Sequence, residues 1–401
     1  MNALRFAGRS LVRQPARASL GVLGIAAVGA LLFDMLLLSN GLILSMGELL
    51  DRTGFDLRVT ATEAVPGSGP RIPRARDVAA RMRALPEVEE AVPVHFASAE
   101  IEGAGQSSGL KVDFFGADPS VRRAWEIGRG RGLTRSEQGD RELVINQHLA
   151  DVTGRNPGDT ITLRASCGRG QSALPAATFR IAGIAAFPFD TVRQLTAATT
   201  RTGVMQACGN VSADEADVIL VLTASGQAPE TARDAVRQSL PGLNVVTNAE
   251  LVGRLDSAGF SYFRQIAAVL GTVTTTFGLL LITVLLTVSV NQRLGTIAAL
   301  RAIGFSRRRV VSDVLCESAL MVGAGGLLAL PLSFALAAWL DRILKRIPDF
   351  PAELHFFVFE PRALRVHFTV LGLTAVAAAL YPMWLVARLP ISTTLRSEVT
   401  S

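Results

Sequence analysis

Lysine and histidine are scarce in this chain of 401 residues. Its lysines are Lys111 and Lys345, and neither lies in G-x-x-x-x-G-K-[ST], the loop whose lysine reaches the phosphates of a bound nucleotide. The histidines are dispersed and show no metal-ligand spacing: His95, His148, His355 and His367. The sequence therefore predicts that this chain does not hydrolyse nucleotide by itself and binds no metal or other cofactor of its own.

Residues 105–109 contain one enzyme-like motif. They read G-Q-S-S-G and match G-x-S-x-G, in which a strand precedes the nucleophilic serine and a helix follows it. Here the motif joins two strand-like runs in a glycine-rich turn. We interpret it as a hairpin loop, with a catalytic Ser107 as the alternative.

Long apolar runs dominate the composition instead. Hydrophobic residues make up 49% of the chain and its mean hydropathy is +0.36, as is typical of a membrane protein. Four runs are long enough to cross about 30 Å of hydrocarbon as helices, namely residues 20–45, 266–290, 318–340 and 368–386. The first run exceeds the length of a signal-peptide core and has no obvious cleavage site, so we predict an uncleaved anchor rather than a secretory signal.

Arginine indicates how these runs are oriented, because cytoplasmic flanks accumulate Lys and Arg. The N-terminal flank and the stretch between the second and third runs are almost purely basic, whereas residues 341–365 mix acids with bases. We therefore predict a multi-pass protein with both termini in the cytoplasm and residues 46–264 outside. The pI near 10.0 follows from the basic flanks, and since no aromatic platform accompanies them we expect no nucleic-acid partner.

The outside segment alternates strand-like and helix-like patterns. Two similar strand, helix and strand units are predicted, at residues 55–101 and 216–247. They enclose an insert at about residues 117–213 that consists mostly of strands and turns. The predicted fold is therefore a membrane protein of four helical spans plus an α+β extracytoplasmic domain with a mainly β insert.

The chain has three cysteines. Cys167 and Cys208 both lie in the insert, on the side of the membrane expected to be oxidising, so we predict a disulfide, with two free thiols as the alternative. Cys316 lies in the membrane region, where we expect it to be a small apolar core residue.

Asp34 stands out as an ionisable residue within the predicted spans. A charged and unpaired carboxylate there costs about 2.5 kcal/mol or more, which makes Asp34 a candidate functional site. We expect structural pairing ahead of transport chemistry, either at the interface or with the threonines of the second span, Thr272, Thr274, Thr275 and Thr276.

The plan of one span, a large outside domain and three further spans resembles the MacB-like and FtsX-like permeases, membrane subunits of a class of ABC transporters. Similar sequence patterns occur in order at residues 4–32, 84–94, 143–163, 291–311 and 381–396. The family has a porter-like α/β part interrupted by a mainly β insert. The resemblance implies three segments: residues 1–45 with an amphipathic helix and the first span, 46–264 as the extracytoplasmic domain, and 265–401 with three spans.

The most specific similarity is at residues 291–311, N-Q-R-L-G-T-I-A-A-L-R-A-I-G-F-S-R-R-R-V-V. In the family this place holds the helix that docks into the ATPase, which implies a cytoplasmic coupling loop at about 291–313. The implied contact residues are Arg301, Ile303, Gly304, Phe305, Arg307, Arg308 and Arg309. The alternative is that these arginines bind anionic lipid and only enforce topology.

The resemblance implies a permease subunit of the inner membrane whose partner ATPase carries ATP and Mg. A second permease copy, in a homodimer or heterodimer, is a further expected partner, together with a periplasmic adaptor and an outer-membrane channel. Expected cargoes for export or extraction are lipoproteins, peptides, lipids and hydrophobic drugs. The alternative function is an FtsX-like mechanotransmitting regulator of a cell-wall enzyme, and a membrane-anchored hydrolase that uses Ser107 is a third interpretation.

Overall fold

The computed structural model of the chain describes residues 15–64, 66–103, 108–120, 124–134, 141–167, 175–209, 214–257, 261–292, 307–344, 351 and 353–388. The chain divides into two compact units. The helical unit consists of Met1–Leu42, Gly259–Leu344 and His355–Ser401, and the α+β unit consists of Ile43–Ala258 and Lys345–Leu354.

The described helices, in chain order, are α1 (Pro15–Arg52), α2 (Ala75–Arg83), α3 (Gln147–Thr153), α4 (Arg201–Ala207), α5 (Pro229–Ser239), α6 (Asn248–Leu255), α7 (Ser261–Asn291), α8 (Arg307–Leu344) and α9 (Pro361–Arg388). The described strands are β1 (Leu57–Thr60), β2 (Ile72–Pro73), β3 (Val88–Glu102), β4 (Lys111–Ala117), β5 (Glu126–Gly130), β6 (Glu142–Asn146), β7 (Thr160–Ser166), β8 (Ala177–Ala186), β9 (Thr196–Thr199), β10 (Glu215–Ala216), β11 (Val218–Thr223) and β12 (Asn244–Thr247).

Among the residues that the structure describes, four helices, α1, α7, α8 and α9, are long and apolar enough to cross a membrane. The four predicted spans are therefore confirmed as helices of membrane length. The helices extend beyond the apolar runs because polar residues continue them at their ends. Thus α1 has 38 residues and reaches Arg52, past the predicted end of its apolar run.

Small residues let α1 and α8 pack closely. A Cβ atom added at Gly325 would lie 2.6 Å from Ile25 Cγ2, and one added at Gly29 would lie 3.0 Å from the Cβ of Ala329. Because the contacting residue numbers rise together, the two helices run parallel. Close approach through glycine and alanine gives the van der Waals packing that holds helices together in lipid, where no hydrophobic effect acts between them.

One half of the α+β unit is a four-stranded antiparallel sheet in the order β12-β1-β11-β3. The chain runs β1-α2-β3 and later β11-α5-β12. In the sheet, β11 lies between β1 and β3, and β1 lies between β11 and β12. This is the split βαβ arrangement of a ferredoxin-like fold. A core that includes Val59, Met82, Ile219 and Val236 lies between the sheet and the two helices. The repeated units predicted from the sequence are confirmed.

The other half is a six-stranded β-barrel. Its strands pair in the order β3-β4-β9-β6-β8-β7, and β7 closes the ring by pairing with β3. Buried apolar side chains such as Ile101, Phe114, Leu143 and Ile181 fill it, so its interior is a packed core. The first part of β3 pairs with β11 and its second part with β4 and β7. The β part therefore begins within β3, earlier than the insert boundary predicted near residue 117.

Candidate functional site

The predicted coupling segment lies mostly outside the described residues. This applies to Arg301, Ile303, Gly304 and Phe305. Helix α8 begins at Arg307, so Arg307, Arg308 and Arg309 form its first turn, but their side chains are outside the description. The described ends of α7 and α8 therefore frame this segment, and its contacts remain a prediction.

A polar contact inside the helical unit joins the two helices that flank the coupling segment. The hydroxyl of Ser289, which is buried near the end of α7, donates to Glu317 Oε1 on α8 at 3.0 Å. Sequence reasoning missed Glu317 because the third apolar run was predicted to start at residue 318. The helix in fact begins eleven residues earlier, at Arg307, and Glu317 lies within it.

Asp34 is fully buried and is paired with a serine of α8. The Ser333 hydroxyl donates to Asp34 Oδ1, while Asp34 Oδ2 has no hydrogen-bond partner among the described residues. The predicted pairing of Asp34 with threonines of the second span was wrong for those threonines whose hydrogen bonds the structure describes. Thr272, Thr275 and Thr276 each donate to a carbonyl of their own helix, four residues earlier. Because a threonine in a helix can donate its hydroxyl to a carbonyl of the same helix, these threonines need no carboxylate as an acceptor.

One asparagine bonds the C-terminal end of α1, which belongs to the α+β unit, to the start of α6. Asn248 Nδ2 donates to Asp51 Oδ1 at 2.9 Å and to the Phe55 carbonyl at 3.0 Å. The backbone N–H of Asn248 donates to the Asp56 carbonyl at 3.0 Å. The turn between α1 and β1 is therefore bonded along its length to the start of α6.

Arg58 completes this connection from β1. Its guanidinium donates to Asn248 Oδ1 and, at 3.4 Å, to Thr53 Oγ1. Burial lowers the pKa of Arg58 to about 10, and the nearby Asp51 carboxylate acts in the opposite direction. We refer to Asp51, Thr53, Arg58 and Asn248 as the α1 joint. Sequence reasoning missed these residues, although the capping box at residues 247–250 is a recognisable signal for the start of α6 beside them.

A buried carboxylate holds the barrel against the ferredoxin-like sheet. Asp217 accepts a hydrogen bond from the backbone N–H of Phe96 at 2.8 Å and lies 3.0 Å from His95 Nδ1. Arg71 Nε donates to the same carboxylate at 3.3 Å. Burial acts to raise the pKa of Asp217, but the nearby His95 side chain and the N–H of Phe96 outweigh it and hold the pKa below its usual value. This site fixes β3 where it passes from the sheet into the barrel.

Cys167 and Cys208 form a disulfide, with their Cα atoms 5.7 Å apart. The bridge joins the end of β7 to the C-terminus of α4, and Cys208 belongs to the barrel core. Cys316 is a free cysteine, half-buried in α8. The disulfide therefore closes the barrel at a point where β7 ends.

The motif around Ser107 lies in the connection between β3 and β4. Ser107 itself is outside the described residues. The strands on either side of it pair antiparallel, and a strand rather than a helix follows it, which is the arrangement of a hairpin. Within the described ranges, no group of three or more His, Cys, Asp or Glu side chains is placed to hold a metal ion.

Two family profiles match the chain. The MacB-like periplasmic core domain matches residues 19–239, and the FtsX-like permease C-terminal region matches residues 268–391. The first covers α1 from residue 19 and most of the α+β unit. The second covers α7 from residue 268 together with α8 and α9.

Individual relatives share short stretches or low identity with the chain. An uncharacterized ABC transporter permease protein of Mycobacterium tuberculosis is 33% identical over 108 residues, which are 27% of this chain and 12% of that protein. The matched stretch is therefore a small part of the relative's length. The solved periplasmic region of MacB from Actinobacillus actinomycetemcomitans is 9% identical, with a TM-score of 0.38, and covers 51% of this chain and 94% of its own. The extracellular domain of the transporter YknZ from Gram-positive bacteria is 12% identical, with a TM-score of 0.34, and covers 48% and 98%.

Proposed function

Because the chain belongs to the family of ABC transporter permeases that join a MacB-like periplasmic core domain to an FtsX-like C-terminal region, we propose that it converts ATP hydrolysis by a partner into movement of its extracytoplasmic domain. The observation that best supports this is the continuity of α1. One helix of 38 residues contains the first span and ends in the α1 joint. A continuous helix transmits displacement along its axis, so movement of the span reaches β1.

The ATPase partner that the family implies binds at residues 291–313 in this proposal. Ile303 and Phe305 fill a groove of the ATPase, and Arg301, Gly304 and Arg307–Arg309 surround them. ATP and Mg belong to the partner, and this chain itself is not an enzyme. The bond between Ser289 and Glu317 supports the proposal because it ties α7 to α8 close to this segment, so that a push on the segment displaces both helices together.

The proposed assembly contains two permease copies and two ATPase subunits in the inner membrane. Both termini and the coupling segment face the cytoplasm, and residues 46–264 face outward, where an adaptor and an outer-membrane channel extend the path. Helix α7 supports this arrangement because it exposes a row of large apolar side chains, Val269, Phe277 and Val284 among them, to lipid or to a second copy. The cargo we propose is a lipoprotein, peptide, lipid or hydrophobic drug.

The barrel favours export over the alternative function, which is regulation of a cell-wall enzyme. A six-stranded barrel added to the ferredoxin-like sheet gives the outside domain a large surface for cargo or an adaptor. A regulator needs a surface for one enzyme only, and the family's regulatory members tend to have smaller outside domains.

The test is a detergent pull-down of the partner ATPase. Ile303→Asp and Phe305→Asp force a carboxylate into the proposed contact, so each should release the ATPase while membrane insertion is unchanged. Neutralising Arg307, Arg308 and Arg309 together should weaken the association less and reduce its sensitivity to salt, because exposed charge pairs are screened. Retention of the ATPase at wild-type levels by both aspartate variants would show that the segment only anchors the protein to lipid.

A further inference from the structure

Two large apolar side chains are exposed in the loop between β8 and β9, while two polar side chains beside them are partly buried. We define the 187–194 loop as the residues F-P-F-D-T-V-R-Q. Phe189 is 40% exposed and Val192 is 54% exposed, whereas Asp190 and Gln194 are both partly buried. Phe187, at the start of the loop, is buried in the adjoining core, so the exposed apolar area is confined to Phe189 and Val192. Exposed apolar area of this kind costs free energy in water.

Hydrogen bonds hold the polar side chains of this loop in place. The Asp190 carboxylate accepts from Asn146 Nδ2 at 2.6 Å and from Thr196 Oγ1 at 2.7 Å. Gln194 Nε2 donates to Asp113 at 2.6 Å, and Gln194 Oε1 accepts from the Thr191 N–H at 2.9 Å. These bonds fix the residues that neighbour Phe189 and Val192, whose own side chains stay exposed.

The 187–194 loop is tethered to the chain that connects two spans. Thr191 forms an antiparallel β-bridge with Pro351. Pro351 lies between α8 and α9, and five residues further on the Phe356 N–H donates at 3.1 Å to Asp341, near the end of the α8 span. Five residues of extended chain reach at most about 18 Å. Chain length alone therefore keeps Pro351, the bridge partner of the loop, within this distance of Phe356, which is bonded to the α8 span.

The composition of the exposed side of the loop suits one partner. Large apolar side chains next to an exposed arginine, Arg193, match the headgroup region of a bilayer, where apolar groups enter the acyl boundary and a guanidinium meets lipid phosphate. We propose that the 187–194 loop is a lipid-contacting element: Phe189 and Val192 insert into the leaflet on the side of the α+β unit, and Arg193 binds phosphate headgroups. This contact concerns the fold in the membrane and does not depend on which cargo is moved.

The test is the depth of a fluorophore in the full chain. Phe189→Cys and Val192→Cys are prepared in a Cys316→Ala background, where the remaining cysteines are paired, and labelled with NBD. The chain is reconstituted into nanodiscs of phosphatidylethanolamine and phosphatidylglycerol, with or without lipids that carry a shallow doxyl quencher. Phe96→Cys is the matched control, because Phe96 lies in the same unit and is 37% exposed.

We expect doxyl lipids to quench the label at positions 189 and 192 at least three-fold more than the label at position 96, with a blue-shifted emission at both sites. Arg193→Ser should reduce this quenching in phosphatidylglycerol nanodiscs. Equal, weak quenching at all three positions would overturn the proposal by showing that the loop faces water. A blue shift without doxyl quenching would also overturn it, because protein, such as a second copy of the chain, would then cover the loop.

Discussion

Asn248 and Asp51 are 197 positions apart in the sequence, yet Asn248 Nδ2 donates a 2.9 Å hydrogen bond to Asp51 Oδ1. Asp51 is in the last turn of α1 and Asn248 begins α6, so this bond fastens the C-terminal end of α1 to the start of α6. In the proposed mechanism the bond lies on the path along which movement of the membrane helices reaches the outside domain.

Asn248→Ala should therefore weaken the α+β unit. The substitution leaves Arg58 and Asp51 short of a partner, and hydrogen bonds to charged groups contribute about 1.5–3 kcal/mol each. We expect the free energy of unfolding of this unit to fall by about 2 kcal/mol, measured by pulse proteolysis of the full chain in urea. Asn244→Ala is the control, because Asn244 on the edge strand β12 also donates through its amide, to Thr60 at 3.1 Å. A loss for Asn248→Ala no larger than for Asn244→Ala would contradict the role of the joint.

The 187–194 loop should become more stable as the pH falls. Burial raises the pKa of Asp190 to about 6, against hydrogen bonds from Thr196 and Asn146, and the Asp113 charge raises it further. Between pH 6 and the usual value of 3.8 the folded state thus holds a proton that the unfolded state has released, so stability rises as the pH falls through this range. Hydrogen exchange of residues 187–196, corrected for its intrinsic rate, should slow between pH 7 and pH 5. Asp190→Asn should abolish this change, and the same pH dependence in that variant would exclude Asp190 as its source.

Reduction of the bridge between Cys167 and Cys208 should destabilise the barrel. The cysteines are separated by 41 positions, and a bridge over such a loop contributes about 2–4 kcal/mol, mainly by restricting the unfolded chain. Cys208→Ser should lower the urea midpoint of the α+β unit, and Cys316→Ala should leave it unchanged. Mass spectrometry of the unreduced protein should detect the linked peptides. Two free thiols in protein purified from its native compartment would rule the bridge out.

Cysteine accessibility tests the proposed orientation. Ser68→Cys lies in the exposed connection before β2 and should react with an impermeant maleimide in intact spheroplasts. Ser306→Cys, in the coupling segment, should react only after the membrane is permeabilised. The substitution changes no charge, so the arginines that set topology, Arg293 and Arg301 among them, stay in place. The opposite labelling pattern would reverse the orientation and remove the ATPase contact from residues 291–313.

The spans and the ferredoxin-like repeat could be predicted because they depend on local sequence. A run of apolar residues long enough to cross a bilayer specifies a helix by itself, and the two strand, helix and strand units carry their own periodicity. The barrel could not be predicted, because its closure depends on pairing of β3 with β7 and of β4 with β9, which no local pattern encodes.

Polar partners were the weakest part of the sequence reasoning. Asp34 was recognised as a buried acid, but its partner Ser333 lies 299 positions away, and many hydroxyls of the bundle were equally plausible. The α1 joint was missed for the same reason, since Asn248 and Arg58 look like ordinary polar residues until the sheet brings them together. The coupling segment was proposed from family resemblance, and its contacts await the pull-down.

The most direct test of the central claim is whether ATP on the partner moves the outside domain through α1. Nitroxides at Ser68→Cys and Phe277→Cys, in a Cys316→Ala background, report the distance between the α+β unit and the helical unit by pulsed EPR. With the partner ATPase bound and its hydrolysis blocked, ATP should shift this distance distribution. Three glycines inserted between Met46 and Gly47 should abolish the shift without releasing the ATPase, whereas the same insertion after Gly226, in an exposed turn, should preserve it. An ATP-dependent shift that persists with the insertion in α1, or no shift in the wild-type protein, would contradict the account.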